Sequence, residues 1–269
     1  MQHANALSDT GRQVSIPACV NRGGADSIIR LAAVPELETE AVFASGAFKA
    51  LSCWQARPGE ILTAVDPGGV CHRVRLTHIS SEPARGVPFF TFPRSPESPL
   101  SIDVYQALPA KERIELILQK LTELGVARIV PITSQRSSTL AERDSVQKKS
   151  HRWPDIILRA ARQCRRAMIP EFYPTLDWTQ TVSLSAPAEL KLMLFEGQTP
   201  GTLKESLEKA KVSRIALLVG PEGGFEPSEM EEARTAGFSP VSLGPRILRT
   251  ETAAIVGTAM TQFALGDLG

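Results

Sequence analysis

From Ser101 onward the apolar positions alternate between two patterns. Ile114, Ile117, Leu118, Leu121 and Leu124 recur at helical spacing, which predicts a helix from about Pro109 to Leu124, with Lys111, Arg113, Glu115, Gln119, Lys120 and Glu123 off its buried stripe. Gly125 follows as its C-terminal cap. Short unbroken apolar runs at Arg128 to Ile132, Leu190 to Phe195 and Ile215 to Val219 predict parallel strands buried on both faces. Ser101 to Gln106 and Pro240 to Leu243 read as further strands, and Leu203 to Ala210 as a short helix. A last helix from Glu251 to Leu265 is expected to pack on the sheet through Ile255, Ala259, Met260 and Phe263. Strands alternating with helices in this way define an α/β domain.

Upstream the period is two. Ile61 to Val65 and Val70 to Leu76, joined by Asp66-Pro67-Gly68-Gly69, predict a hairpin. Pro83, Pro88, Pro93, Pro96 and Pro99 then exclude helix. The expected organisation is a flexible leader at 1–14, a β-rich domain at 15–82, a Pro-rich linker at 83–100 and the α/β domain at 101–269.

Composition narrows the chemistry. With 269 residues, 42% hydrophobic and 22% charged, the chain can bury its own core. A net charge of +1 gives no bulk attraction to a polyanion, so a nucleic-acid surface must come from local clustering. Cys19, Cys53, Cys71 and Cys164 form no C-x-x-C pair, and the four histidines form no ligand spacing, so no metal site is expected and the thiols fit a reducing cytoplasm. No segment approaches the ~20 apolar residues of a membrane span, and the first twenty residues do not resemble a signal peptide; a cytoplasmic protein is expected.

Two segments carry candidate chemistry. In Ile215-Ala-Leu-Leu-Val-Gly-Pro-Glu-Gly-Gly-Phe-Glu-Pro-Ser-Glu-Met-Glu231 a buried strand breaks into a glycine-rich loop and then a helix, with Ser228 and Glu231 spaced as a capping box. Ligands of α/β sheets bind at such strand ends, and Gly220, Gly223 and Gly224 let the backbone come close to one. The loop has neither G-K-[ST] nor G-x-G-x-x-G, and Glu222, Glu226 and Glu229 disfavour a phosphate. A ligand with a neutral or cationic centre suits it. The second segment, Leu243-Gly-Pro-Arg-Ile-Leu-Arg-Thr-Glu-Thr-Ala253, again joins a strand to a helix. Arg249 sits at that helix's start, where the dipole disfavours a cation, so helix stability does not account for it.

A basic cluster, Arg143, Lys148, Lys149, Arg152, Arg159, Arg162, Arg165 and Arg166, follows the predicted strand at 128–132. On one continuous helix Arg159, Arg162 and Arg166 share a face opposite Ile157, Ala161, Cys164 and Met168, an arrangement suited to RNA phosphates.

The two glycine-rich segments, with Lys111-Glu-Arg-Ile-Glu-Leu-Ile-Leu-Gln-Lys-Leu-Thr-Glu-Leu-Gly-Val126, Pro131, Gln135-Arg136-Ser137 and the closing Gly-Asp-Leu-Gly, resemble the 16S ribosomal RNA uridine-N3 methyltransferases of the SPOUT class over about residues 101–269. The resemblance implies a SPOUT-type α/β domain with a C-terminal trefoil knot, preceded by a small PUA-like β-barrel that helps hold RNA. It also implies a homodimer and S-adenosylmethionine as cofactor. The substrate implied is 16S rRNA or the assembled small ribosomal subunit. Cofactor contacts are expected at Leu194, Gly220, Glu222, Gly223, Gly224, Leu243, Gly244, Leu248, Arg249 and Thr250, catalysis at Arg249 and Glu251, and RNA contacts at Lys111, Arg113, Lys120, Arg136, Arg159, Arg162 and Arg166. Residues 15–80 match the family poorly, and Gln55, Arg162 and Arg165 stand where it usually has Arg, Glu and Gly. Two other readings stay open: a SPOUT enzyme acting on tRNA or a ribose 2′-oxygen, and a non-catalytic RNA-binding assembly factor.

Overall fold

The computed structural model describes residues 4–7, 13–80, 82–109, 113–142, 150–197 and 201–269. Its centre is a six-stranded parallel sheet made of β7 (Ser101–Ala107), β8 (Arg128–Ile132), β9 (Glu171–Phe172), β10 (Leu190–Leu194), β11 (Arg214–Val219) and β12 (Ser239–Val241), in the order β12-β10-β11-β7-β8-β9. The strand order reverses beside β7, whose neighbours are β8 and β11. One face packs on α2 (Arg113–Glu123), α3 (Trp153–Gln163), α5 (Leu203–Glu208) and α7 (Thr250–Leu265), where Ile102, Val104, Ile117, Ile157, Leu207 and Leu217 share one apolar cluster. The other face carries Tyr105, Val130, Met193 and Leu218 against α4 (Trp178–Ser185) and α6 (Pro227–Thr235). Burial on both faces is why β8, β10 and β11 read as apolar runs.

A four-stranded antiparallel sheet, β3 (Ala41–Val42), β4 (Ile61–Val65), β5 (Cys71–His78) and β6 (Arg85–Thr91), runs in the order β3-β6-β5-β4 and holds α1 (Ala47–Cys53) against it. β6 lies within the stretch expected to be a linker. Proline excludes helix but fits an extended strand where no ladder bond is required, and Pro88 falls next to the register shift between Arg73 and Val74. Residues expected to belong to a leader also form a strand: β1 (Ala4–Leu7) pairs with β2 (Gln13–Ile16). Ile16 is buried in the cluster that includes Leu184 of α4, and Gln180 donates to the Ser15 carbonyl at 3.1 Å. Four-residue strands are too short to show a period.

The last helix packs Met260 against the core as expected, with Ile255 and Ala259 half-buried, but its buried side is centred elsewhere. Ala254, Gly257, Thr258 and Thr261 are buried, Gly257 so tightly that a Cβ there would come within 2.7 Å of Leu194, while Phe263 is 74% exposed. The helix has no charged residue after Glu251, so no polar stripe marks its outer side.

A buried carboxyl lies at the start of β7. Asp103 shares its face of the sheet with Tyr105, and Arg128 approaches it at 3.5 Å. Burial outweighs that guanidinium and pushes the Asp103 carboxyl up to about 6. An acid whose folded pKa is raised makes the folded state less stable as pH rises from its unfolded value, about 3.9, through 6. Asp103→Asn is therefore expected to gain on the parent protein over pH 4–7, by no more than about 3 kcal/mol. Urea unfolding curves across that range check it, and parallel pH profiles would refute it.

Candidate cofactor site

The loops leaving β10, β11 and β12 converge on one cavity of about 230 Å³. That is where ligands of open parallel sheets bind, outside the carboxyl ends of the strands at the reversal of strand order. Leu194, Gly220, Glu222, Gly224, Leu243, Gly244, Leu248, Arg249 and Thr250 all line it. Gly223 faces away: a Cβ there would meet Arg136 at 3.2 Å. Gly224 and Gly244 have φ of +69° and +123°, conformations that glycine adopts without strain.

The two glycine-rich loops are tied together. Thr250 Oγ1 donates to the Gly220 carbonyl at 2.6 Å and accepts from Gln106 Nε2 at 3.0 Å. Gln106 is fully buried at the end of β7, and its Oε1 has no hydrogen-bond partner. Sequence reasoning missed Gln106, although a polar residue ending a buried apolar strand at a candidate site is a usable signal.

The loop after β11 is braced from outside. Arg136 donates to Glu226 at 2.7 Å and to the Gly223 carbonyl at 2.9 Å. The N-cap of α6 is Glu226, with Pro227 in the first turn, in place of the expected pairing of Ser228 with Glu231. Proline's fixed φ starts the helix there. Buried Glu229 accepts from the Glu226 amide at 2.9 Å and the Gln135 amide at 2.8 Å.

At the rim, Arg249 is the N-cap of α7, is exposed, and makes no ion pair among the described residues. Glu251 is 13% exposed, with Arg113 at 3.5 Å; its Oε2 lacks a hydrogen-bond partner. Arg113 also reaches Glu222 at 3.3 Å. The crossover from β7 into α2 brings the first turn of α2 to the cavity, so Arg113 lies between two carboxylates there.

The residues expected to hold RNA do not form one face. Lys111 lies outside the described residues, as do Arg143, Lys148 and Lys149. Lys120 pairs with Glu123 at 2.7 Å on α2. Arg159 is exposed on α3 and donates to its own helix at the Asp155 carbonyl. Arg162 bonds the carbonyls of Trp54 and Gln55 and pairs with Glu60, which joins α3 to the small sheet. Arg166 corrects the expectation most sharply. It is 3% exposed, pairs with Glu97 at 2.7 Å, and bonds the Val126 carbonyl at 2.8 Å. The reason is that α3 ends at Gln163, so Arg166 leaves the helical wheel on which its exposure was reckoned.

The glycine-rich ends of a parallel sheet thus line one cavity beside Arg249, which makes no ion pair among the described residues. The chain belongs to the RNA methyltransferase family, whose model, described as an RNA methyltransferase domain, matches residues 96–262. Its relatives include proteins named ribosomal RNA small subunit methyltransferase E. The one from Buchnera aphidicola subsp. Schizaphis graminum is 36% identical over 175 residues, 64% of this chain and 69% of that protein. The one from Mycobacterium bovis is 33% identical over 227 residues, 82% of each. The crystal structure of the Neisseria gonorrhoeae protein, bound to S-adenosyl methionine, superposes with a TM-score of 0.64 at 29% identity and covers 89% of this chain and 98% of that one.

Proposed function

We propose that this protein uses S-adenosylmethionine to methylate 16S rRNA of the small ribosomal subunit, at N3 of a uridine near the RNA's 3′ end. The observation that carries the reading is the cavity lined by the glycine-rich loops after β11 and β12, with Arg249 at its rim making no ion pair among the described residues. The residues present fit the cofactor. Leu194, Leu243, Leu248 and Ala253 give apolar walls, backbone amides of both loops are at hand for polar ends, and Glu196 and Glu222 favour a cationic centre. When bound, the cofactor supplies an electrophilic methyl group. Arg249 faces the base and stabilises the anion left when N3 loses its proton, and Glu251, positioned by Arg113, accepts that proton directly or through water.

The wider organisation follows the same reading. A small β-rich PUA-like unit precedes the catalytic unit, with the boundary after β6, and the C-terminus is knotted. Two features support the knot: the chain returns from β12 at the sheet's edge to α7, packed on α2, β7 and β11, and the segment after β10 is bonded across it between Thr202 and Ser242. The exposed Phe263 and Ile247 support a homodimer, since bare apolar side chains of this size suit a partner surface. The described residues contain no helix long and apolar enough to cross a membrane; a cytoplasmic location follows from the substrate.

The test is methyl transfer from labelled S-adenosylmethionine to small-subunit RNA from cells lacking the protein, with nucleoside analysis. N3-methyluridine is the expected product. Label in tRNA or on a ribose would favour another SPOUT activity, and binding without transfer would favour an assembly factor. Thr250→Val keeps the side chain's shape but takes the hydroxyl donor from the Gly220 carbonyl and one of the two acceptors from Gln106 Nε2, and an unsatisfied buried group costs about 1–3 kcal/mol. Cofactor affinity measured by calorimetry is expected to fall about tenfold, the lower part of that range, with the fold retained; unchanged affinity would separate this contact from cofactor binding.

A further inference from the structure

α3 ends in a Schellman turn. The Arg166 amide bonds the Ala161 carbonyl at 3.0 Å and the Arg165 amide bonds the Arg162 carbonyl at 3.2 Å, which puts Arg165 at the position that glycine fills in such turns. Its φ is +65°, a conformation that strains a side-chain-bearing residue. Arg165 is exposed, so packing does not account for it.

The turn lands on the small sheet. Thr63 Oγ1 donates to the Arg165 carbonyl at 2.9 Å and accepts from the Arg73 guanidinium at 3.1 Å, so two hydrogen bonds link Arg73 to the Arg165 backbone. Burial, and then the positive charge of Arg165, push Arg73 down from the ordinary arginine value. Among the described residues no carboxylate pairs with either arginine; Glu60 is taken by Arg162 and Glu97 by Arg166. Two like charges, one on the strained turn and one on β5, with no carboxylate paired to either among the described residues, leave a place for an anion.

The surface beside them points to the kind of anion. Thr63, Arg73 and Phe90 form one row across β4, β5 and β6. Phe90 is 43% exposed and stands edge-on to Phe92, with centroids 5.3 Å apart. In the next row Arg75 lies over the Phe89 ring at 6.0 Å. Cations interleaved with open aromatic rings are what a single nucleic-acid strand requires, with phosphates on the first and bases on the second.

We propose that Arg73 and Arg165 clamp one phosphate group of the RNA strand at the junction of the small sheet and the catalytic sheet, with Phe90 as the neighbouring stacking surface. The proposal rests on the RNA methyltransferase reading above. It gives the small sheet a defined part in holding the substrate and accounts for an arginine where the turn favours glycine.

Arg165→Gly separates the clamp from the fold, because glycine suits the turn. The experiment measures binding of small-subunit ribosomal RNA, from cells lacking the protein, to the full chain over a range of salt. Arg165→Gly is expected to keep a thermal midpoint no lower than the parent's and unchanged S-adenosylmethionine affinity, while the log–log salt slope falls by about 0.7 to 0.9 for the lost phosphate contact. Arg73→Gln is expected to lower the slope likewise, and the double variant to add little, since both side chains hold one phosphate. Phe90→Ala is expected to weaken RNA binding several-fold with the slope unchanged. An unaltered slope in Arg165→Gly, in a parent protein that binds and methylates the RNA, overturns the clamp alone. A parent protein that neither binds nor methylates the RNA overturns the functional reading and the clamp with it.

Discussion

Arg249→Ala is expected to slow single-turnover methyl transfer by about 10² or more at saturating cofactor and RNA, with RNA binding and thermal stability retained. Stability is the informative control. Arg249 occupies the N-cap of α7, where the favoured residues are Ser, Thr, Asn and Asp. A cation there opposes the helix dipole, and no ion pair among the described residues offsets that cost. Removing the guanidinium therefore takes nothing from the fold, whereas on the proposed mechanism the anion that develops at the cavity rim loses a cation that no carboxylate pairs with among the described residues. Glu251→Gln divides the roles further. If Glu251 accepts the N3 proton, the acid limb of the pH–rate profile disappears; if it only holds Arg113, the limb persists and the rate changes little. Near-parental rates for both variants would locate the catalytic groups elsewhere.

Arg249 stands out in the sequence because a cation at a helix start breaks a local rule, on a loop between a buried strand and a helix; Glu251, an acid in the first turn, obeys that rule and is singled out by the resemblance. The long buried strands and the hairpin were legible from their hydrophobic pattern and turn residues. β8, β10 and β11 are buried on both faces, and the Asp66-Pro67-Gly68-Gly69 turn fixes the β4–β5 hairpin. β9, with two residues, and the four-residue strands β1 and β2 carry too little pattern to be seen. The errors in exposure have a common cause in tertiary context. α3 ends with Arg165 where glycine would have signalled the stop, so a helical wheel drawn through Arg166 placed a buried side chain on the surface. α7 has small or apolar residues on every side, so its inward side is selected by the close approach of Gly257 to Leu194 rather than by any polar stripe. Arg113 looked like a solvent-facing helix cation, but the crossover from β7 delivers it to Glu222 and Glu251.

Arg166 gives the largest expected effect on stability. Its guanidinium joins three segments distant in sequence: it pairs with Glu97 ahead of β7, at 2.7 Å, and bonds the carbonyls of Thr122 and Val126 at the end of α2, at 3.3 and 2.8 Å. Glu97 Oε1 in turn accepts the amides of Ala167 and Met168, at 2.7 and 3.0 Å. Arg166→Met fills much of the same volume but removes the cation that pairs with Glu97 and the donor to the Val126 carbonyl, leaving the Glu97 charge balanced only by the two amides at Oε1. Breaking one side of a buried pair costs about 3–5 kcal/mol, and for a chain of this size each kcal/mol is worth about 2–4 °C of thermal midpoint. A fall of roughly 6 °C or more is therefore expected by calorimetry. Pairing the change with Glu97→Gln removes the stranded charge while keeping an acceptor for the two amides, so the double variant is expected to recover part of the loss, a coupling that a double-mutant cycle reads directly. A single variant within about 1 kcal/mol of the parent, or a double variant whose losses simply add, would mean that the guanidinium and carboxylate do not depend on one another, and that the joint between α2, α3 and β7 is held by apolar packing alone.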